Sequence, residues 1–517
     1  MPNFMSKIQN TLSNTNYTEN GMEGYKNTQH ALTDFAFKTA SYRTSLYRAK
    51  CDFSAVIAEK DPYALKYLMY LRDIKEGLGE RSLFRQSLVQ LLNAQIKNKD
   101  SLVPIIIDSI IKYGRYDDLM CLLNTNYESK VIELIKNQLK DDLAVIDEGK
   151  NASISLLAKW MPSENTSSQA TRNLATYLRE NLGMLPKEYR KMLSKLRKHL
   201  KVVETMTCAK KWNEINYNTV PSKANLLYAN AFIKNDEERR RNYLASLRLG
   251  AKDVKINMSV TYPHEIVSRY NQTASYIRIK DYDESLETYW NNLKPCIGLE
   301  DTIVVRDGSG SMEITIGNSK TKALDVSTAL AVYCSQYLKG TFRNKFITFS
   351  SNAKLVDLTG YNSLQEKLEK IYREDDCSNT DIQNVFELIL KTAMDYHIDS
   401  EDIPKNILIV SDMEFDPSHE SRGLWDSGMN AGSNVFTEMQ LKYKLAGYKL
   451  PKLIFWNVNS RTGTIPCITN ENGVLLVSGF SQNILNMVMD DEKDPYKALI
   501  KVLCKDRYAS IPLIEYA

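Results

Sequence analysis

Asp307, Ser309 and Ser311 place one carboxylate and two hydroxyls at alternate positions, separated by Gly308 and Gly310. All three side chains offer oxygen. Hard divalent cations such as Mg2+ take oxygen ligands and usually keep several waters. Further oxygen donors follow in order. Thr380-Asp381 comes after the polar stretch Glu374 to Asn379 and opens an apolar-periodic segment, Ile382 to Met394. Ser378 stands close enough to compete with Thr380 for one role. Ser411-Asp412-Met413-Glu414 ends the apolar run Lys405 to Val410. Glu414 and Asp416 either line the same cleft or are simply solvated. Taken alone, the Asp307–Ser311 stretch reads equally well as a plain turn; the ordered downstream donors favour a cation loop.

Strand ends must hold these donors. Ile303 to Val305 is a short β-branched run of the kind that forms a buried strand, and the glycines after it permit a tight turn. From Asp301 onward, the pattern predicts strands at 302–307, 344–350, 353–358, 405–412, 452–458 and 474–479. Helices are expected at 322–338, 363–373, 381–397, 434–446, 481–489 and 495–504. That alternation predicts a doubly wound, mostly parallel α/β sheet. The tight turn between 344–350 and 353–358 makes one edge pair antiparallel. Ligands of such sheets bind beyond the carboxyl ends of strands, where Asp307 and Asp412 both fall. Arg306 is the departure, a charge at a strand position that calls for an apolar residue.

An Asp-x-Ser-x-Ser stretch, a Thr from a later loop and an Asp closing the fourth strand resemble a von Willebrand factor A domain with a metal-ion-dependent adhesion site (MIDAS). The matching metal positions are Asp307, Ser309, Ser311, Thr380 and Asp412. The resemblance implies Mg2+ or another divalent cation as cofactor, and an acidic protein partner whose carboxylate completes the coordination.

The chain before Asp301 follows another period. Of its 517 residues, the part from Asp301 on carries 23 lysines and arginines against 29 acids; the part before it carries 44 against 34. A net −6 thus faces a net +10, so one half can meet a polyanion or the two can attract each other. Residues 1–29 read as a flexible leader with no apolar signal-peptide core. No run approaches the length of a membrane span, so a cytoplasmic protein without a membrane partner is expected. The eight cysteines are single and form no C-x-x-C pair, which disfavours a structural zinc site and a disulfide scaffold. Segments 62–75, 82–96, 102–111, 129–143 and 170–181 have apolar residues three to four apart, as in amphipathic helices. Short turns separate them, which predicts a multidomain chain with an all-α, HEAT-like, ring-like region over 30–298 and the α/β domain over 299–517.

Lys187 to Lys201 is the most basic segment, with Lys187, Arg190, Lys191, Lys195, Arg197, Lys198 and Lys201 against the single acid Glu188. Tyr189, Leu193, Leu196 and Leu200 form an apolar stripe, which leaves a positive face, and Lys210 and Lys211 beside Trp212 continue it. Such a face can neutralise several phosphates; it is also what a solvated amphipathic helix looks like. The charged stretch Lys234 to Arg241 reads as a solvated helix face. Three polar words, Tyr70 to Arg81, Tyr113 to Leu119 and Ala158 to Ser163, are either functional or helix–helix corners.

A helical region followed by an A domain resembles the TROVE-domain proteins, the family of the sixty-kilodalton Ro autoantigen. The words RDIKEGLGERSLFR, YGRYDDL, AKWMPS, YRKMLSKLRKHLKVVE and SDMEFD are similar to those of a TROVE-like subgroup. The resemblance spans about residues 40 to 517. It implies a noncoding-RNA-binding scaffold whose partners are small structured noncoding RNA or single-stranded RNA ends. The alternative is a metal-dependent protein–protein adaptor with no RNA role. An enzyme is not expected, because no nucleophile–base constellation, paired-metal ligand set or phosphate-binding loop is present.

Overall fold

The computed structural model describes residues 13–149, 152–272, 278–295, 299, 301–317, 319–349, 352–375, 378–417, 434–488 and 492–517. Two compact units divide the chain: Met1–Ala64 with Thr261–Ala509, and Leu65–Val260 with Ser510–Ala517. This corrects the expected boundaries of 1–29, 30–298 and 299–517 at both ends.

The N-terminal elements belong to the α/β unit. Strands β1 (Thr15–Tyr17) and β2 (Glu23–Tyr25) form an antiparallel hairpin, and Tyr25 exchanges backbone hydrogen bonds of 2.9 Å with Ile465. Met22 and, in helix α1 (Ala31–Phe37), Phe37 are buried in the core of the sheet. Helix α2 (Leu46–Ala58) follows, with Ser45 as its N-cap. The expected flexible leader is therefore ordered from residue 13 onward; residues 1–12 lie outside the described residues. The reason is burial: the apolar side chains of this segment have a sheet to cover.

The helical unit is built from α3 (Ala64–Arg72), α4 (Ser82–Asn93), α5 (Lys99–Tyr113), α6 (Glu128–Asp147), α7 (Gln169–Asn181) and α8 (Pro186–His199), with shorter helices after them. Each follows its predicted apolar spacing to within about four residues at either end. The three polar words are corner devices. Buried Asp118 accepts from Arg72 Nε at 2.7 Å and Arg85 Nε at 2.8 Å, which ties the first word to the second. A Cβ on Gly114 would lie 2.7 Å from Asp118 Oδ2, so the corner admits only glycine there. Arg115 lies 4.4 Å over the Trp160 ring and so joins the second word to the third. The stretch Lys234 to Arg241 is not wholly solvated. Arg240 is fully buried and packs over Tyr217, Phe232 and Tyr243. Of the described cysteines, Cys334 and Cys467 are buried and Cys51, Cys208 and Cys504 exposed, and none is in a disulfide.

Helices α9 (Pro263–Tyr270) and α10 (Glu284–Asn291) lead into the sheet. Along the chain come β3 (Thr302–Asp307), α11 (Ala323–Tyr337), β4 (Lys345–Phe349), β5 (Lys354–Asp357), α12 (Leu364–Glu374) and α13 (Gln383–Asp395). Then follow β6 (Asn406–Ser411), α14 (Val435–Leu445), β7 (Lys452–Asn457), β8 (Val474–Ser478) and α15 (Pro495–Leu503). The six strands lie in the order β8-β7-β6-β3-β4-β5, parallel except for the β4–β5 edge pair. β3, β6 and β7 sit in the middle, covered on both faces, which is why they read as continuous apolar runs rather than alternating ones. Among the described residues no helix is long and apolar enough to cross a membrane.

Candidate metal centre and cationic helix

β3 and β6 are adjacent and parallel, so their carboxyl ends deliver Asp307 and Asp412 to one edge of the sheet. Backbone bonds stitch the three donor loops together there. Gly310 N donates to Ser378 O at 3.2 Å, and Asp416 N donates to Thr380 O at 3.0 Å. The 307–311, 378–380 and 411–416 loops therefore meet. Thr380 is buried and Ser378 half-buried.

Both carboxylates are fully buried. Asp307 accepts from the Ser309 backbone N–H at 2.9 Å and from Ser411 Oγ at 2.6 Å. Ser309 Oγ and Ser311 Oγ lie 3.0 Å apart. Burial, and then the like charge of Asp412, push the Asp307 carboxyl up to about 7. Burial also raises Asp412, while Arg461, whose Nη1 donates to Asp412 Oδ2 at 2.8 Å, pulls it down.

Arg306 does not leave the site loosely packed. Its guanidinium is fully buried and bidentate on Asp375, at 3.0 and 2.7 Å, with further bonds to Thr328 and Thr348 hydroxyls at 3.0 and 3.2 Å. A Cβ on Gly308 would fall 2.5 Å from Asp375 Oδ1, so the glycine is required for the loop to cross this pair. Arg306 is thus paired chiefly with Asp375, and Asp307 is a smaller electrostatic partner.

Glu414 is neither solvated nor a free ligand. It is fully buried and accepts from Arg461 N (2.7 Å), Thr462 N (2.9 Å) and Glu19 N (2.7 Å), which fastens the loop after β7 and the N-terminal hairpin to the end of β6. Ser411 and Arg461 are the parts of this centre that sequence reasoning missed; Glu414 was expected either to line the cleft or to be solvated, and it is buried there. Ser411 had a signal in standing beside Asp412 at a strand end. Arg461 had none, since its ion pair spans 49 residues.

Among the described residues no three His, Cys, Asp or Glu side chains gather as a metal-binding group. A cation here must rely on two carboxylates and neighbouring hydroxyls. That donor set fits a hard cation. When both are ionised, Asp307 and Asp412 place two buried negative charges side by side; among the described residues the guanidinium bonded to the pair is that of Arg461, on Asp412, itself shared with Glu19.

The basic segment separates into two groups. Lys187, Lys191, Lys198, Lys201 and Lys210 are exposed and have no ion-pair partner among the described residues. Arg190 lies 3.5 Å from Glu164, Lys195 pairs with Asp147, and Lys211 pairs with Glu214 at 2.6 Å. Arg197 is a correction to the expected binding face. Its guanidinium turns inward and donates to Ala158 O (2.9 Å), Met161 O (2.7 Å) and Ser163 Oγ (2.8 Å), so it clamps the Ala158–Ser163 corner onto α8.

The chain thus combines a helical unit bearing an exposed lysine face with a six-stranded mixed sheet bearing a buried carboxylate–hydroxyl cluster. Residues 301–504 match a domain of unknown function (DUF7788), and residues 166–294 match another (DUF2828). An uncharacterised protein of Acanthamoeba polyphaga mimivirus is 28% identical over 528 residues, covering 95% of this chain and 88% of its own length. Among solved structures, the Ro (RSR) protein of Deinococcus radiodurans aligns with 88% of this chain and 93% of its own at a TM-score of 0.35 and 12% identity.

Proposed function

We propose that this chain is a cytoplasmic RNA-binding scaffold, with a helical unit of TROVE type and a cation-binding unit of the von Willebrand factor A type. One observation carries the RNA reading: Lys187, Lys191, Lys198, Lys201 and Lys210 are exposed and have no ion-pair partner among the described residues, while the neighbouring Arg190, Lys195 and Lys211 are taken up by acids. Free ammonium groups on one helix and its continuation are suited to phosphates, whose condensed counterions are released on binding. The ligands are small structured noncoding RNA or single-stranded RNA ends, read by shape and by exposed bases. In the α/β unit, Asp307, Asp412, Ser309, Ser311 and Thr380 would hold Mg2+, which would offset the buried charge and offer a coordination position to the carboxylate of an acidic partner. Asp307 and Asp412 act here as binding groups, and the protein is read as a non-enzyme.

The buried carboxylate pair also favours a second reading, a metal-dependent protein adaptor with no RNA role. Binding of the full chain to a structured RNA with a single-stranded tail, across a salt series, separates the two. Tight binding that weakens steeply with salt is the expected result. Mg2+ uptake in calorimetry with no RNA binding even at low salt would leave only the adaptor.

A further inference from the structure

Lysines gather at the other edge of the sheet. Lys405 precedes β6, Lys452 opens β7, Lys449 stands in the loop between α14 and β7, and Lys493 precedes α15. All four line one open cleft of about 500 Å³ at the amino ends of β6 and β7, opposite the edge that carries Asp307 and Asp412. The other described lining residues carry no charge. The chain from Asp301 on holds 23 lysines and arginines against 29 acids, so this cleft is not a sample of a generally basic surface.

The fold holds these lysines in place. Lys452 N donates to Lys405 O at 2.9 Å, which sets the two residues side by side at the strand ends. The side chains of Asn470 and Asn472 donate to Pro451 O at 2.8 Å and Leu450 O at 2.7 Å, which fixes the loop bearing Lys449. Val474 N donates to Lys493 O at 3.2 Å. A Cβ on Gly473 would lie 2.8 Å from Lys493 Cα, so the glycine lets Lys493 approach the sheet.

Nearby acids do not balance the cluster. Asp301 bonds Lys405 Nζ at 2.8 Å, but both side chains are exposed, and such a pair is weak in water. Glu492 lies 3.7 Å from Lys501 Nζ, which is not part of the lining. Lys493 Nζ donates to Glu471 O at 3.2 Å. A carbonyl takes up one of an ammonium's three donors and cancels no charge. Lys449 and Lys493 are exposed and have no ion-pair partner among the described residues.

Like charges held around one cavity repel, and an anion that reaches several of them relieves the repulsion. The lysines stand on three separate segments around a cleft within the usual size of small-molecule sites, about 300–1,000 Å³. An anion whose charge is spread along a chain meets more of them than a single tetrahedral ion does. We infer that the cleft binds an oligophosphate, a chain of two or more linked phosphates, free or carried by a nucleotide. The site belongs to the α/β unit and does not depend on the RNA reading.

Calorimetric titration of the full chain with tripolyphosphate, in metal-free buffer at low salt, tests this. Saturable binding is expected, with orthophosphate at least about tenfold weaker. Lys449→Ala combined with Lys493→Ala should weaken tripolyphosphate binding at least about tenfold, the loss expected for one hydrogen bond between charged groups. Lys449→Arg combined with Lys493→Arg should retain it, and so should the protein with Lys187, Lys191 and Lys198 replaced by alanine. ATP separates the two sources: tighter binding than tripolyphosphate identifies a nucleotide, equal or weaker binding the free chain, and either supports the site. No binding of tripolyphosphate would overturn the proposal. So would orthophosphate bound as tightly, an alanine pair that binds like the parent, or a loss confined to the variant of α8.

Discussion

Replacing Lys187, Lys191 and Lys198 together by alanine should flatten the salt dependence of RNA binding without unfolding the protein. Five exposed lysines without an ion-pair partner among the described residues stand on and just after α8. If each meets one phosphate of a single strand, the slope of log K against log salt is about −3.5, at about 0.7 per phosphate. Raising salt fourfold, from about 50 to about 200 mM, then weakens binding about a hundredfold. Removing three of the five contacts lowers the slope to about −1.4, and the same salt change costs only about sevenfold. Arg197→Ala is the contrasting variant. It removes three hydrogen bonds inside the helical unit, at a cost to stability of about 2–4 kcal/mol. Because that guanidinium faces inward, the slope should stay at its original value wherever the variant is folded. Fluorescence anisotropy over a salt series gives the slopes, and urea denaturation gives the stabilities. The reasoning is refuted if Arg197→Ala flattens the slope as much as the triple lysine variant does, or if the triple variant leaves it unchanged.

Three further outcomes are expected. Asp307→Ala should weaken Mg2+ binding, and a calorimetric titration with unchanged affinity would count against the cation site. Asp375→Ala strands the buried Arg306 guanidinium and should cost about 3–5 kcal/mol in urea denaturation, whereas Arg306→Met combined with Asp375→Leu should cost far less. Asp325 is buried, bonded to Asn271 and raised to about 6 from 3.8, chiefly by burial. The folded state therefore holds this proton more tightly than the unfolded chain does. The stabilisation is full below 3.8 and is lost as pH rises through about 6. Asp325→Asn should thus gain stability over the parent, by about 3 kcal/mol at pH 8 and much less at pH 4.5. A gain that does not change with pH would show that the group titrates normally.

Much of the α/β architecture was legible from the chain itself. A strand covered on both faces is mostly apolar, so β3 (Arg306 apart), β6 and β7 announce themselves as apolar runs, and the helices between them by their three-to-four spacing. The order of the oxygen donors was legible too, because strand ends in a parallel sheet share one edge. Charged side chains were not legible in the same way. A lysine or arginine in a sequence states its charge but not its partner, and the partners here are distant: Asp375 is 69 residues from Arg306, and the three acceptors of Arg197 lie 34 to 39 residues away. The membership of residues 13–64 in the α/β unit was hidden for the same reason, since local pattern cannot say which apolar face a short segment will cover. The sequence alone therefore determined the strands and helices from Asp301 onward and which oxygens reach the sheet edge, because those follow from local periodicity. Only the tertiary structure decided which cations are spent inside the protein and which remain for a ligand, because that depends on what long-range packing places within hydrogen-bond reach.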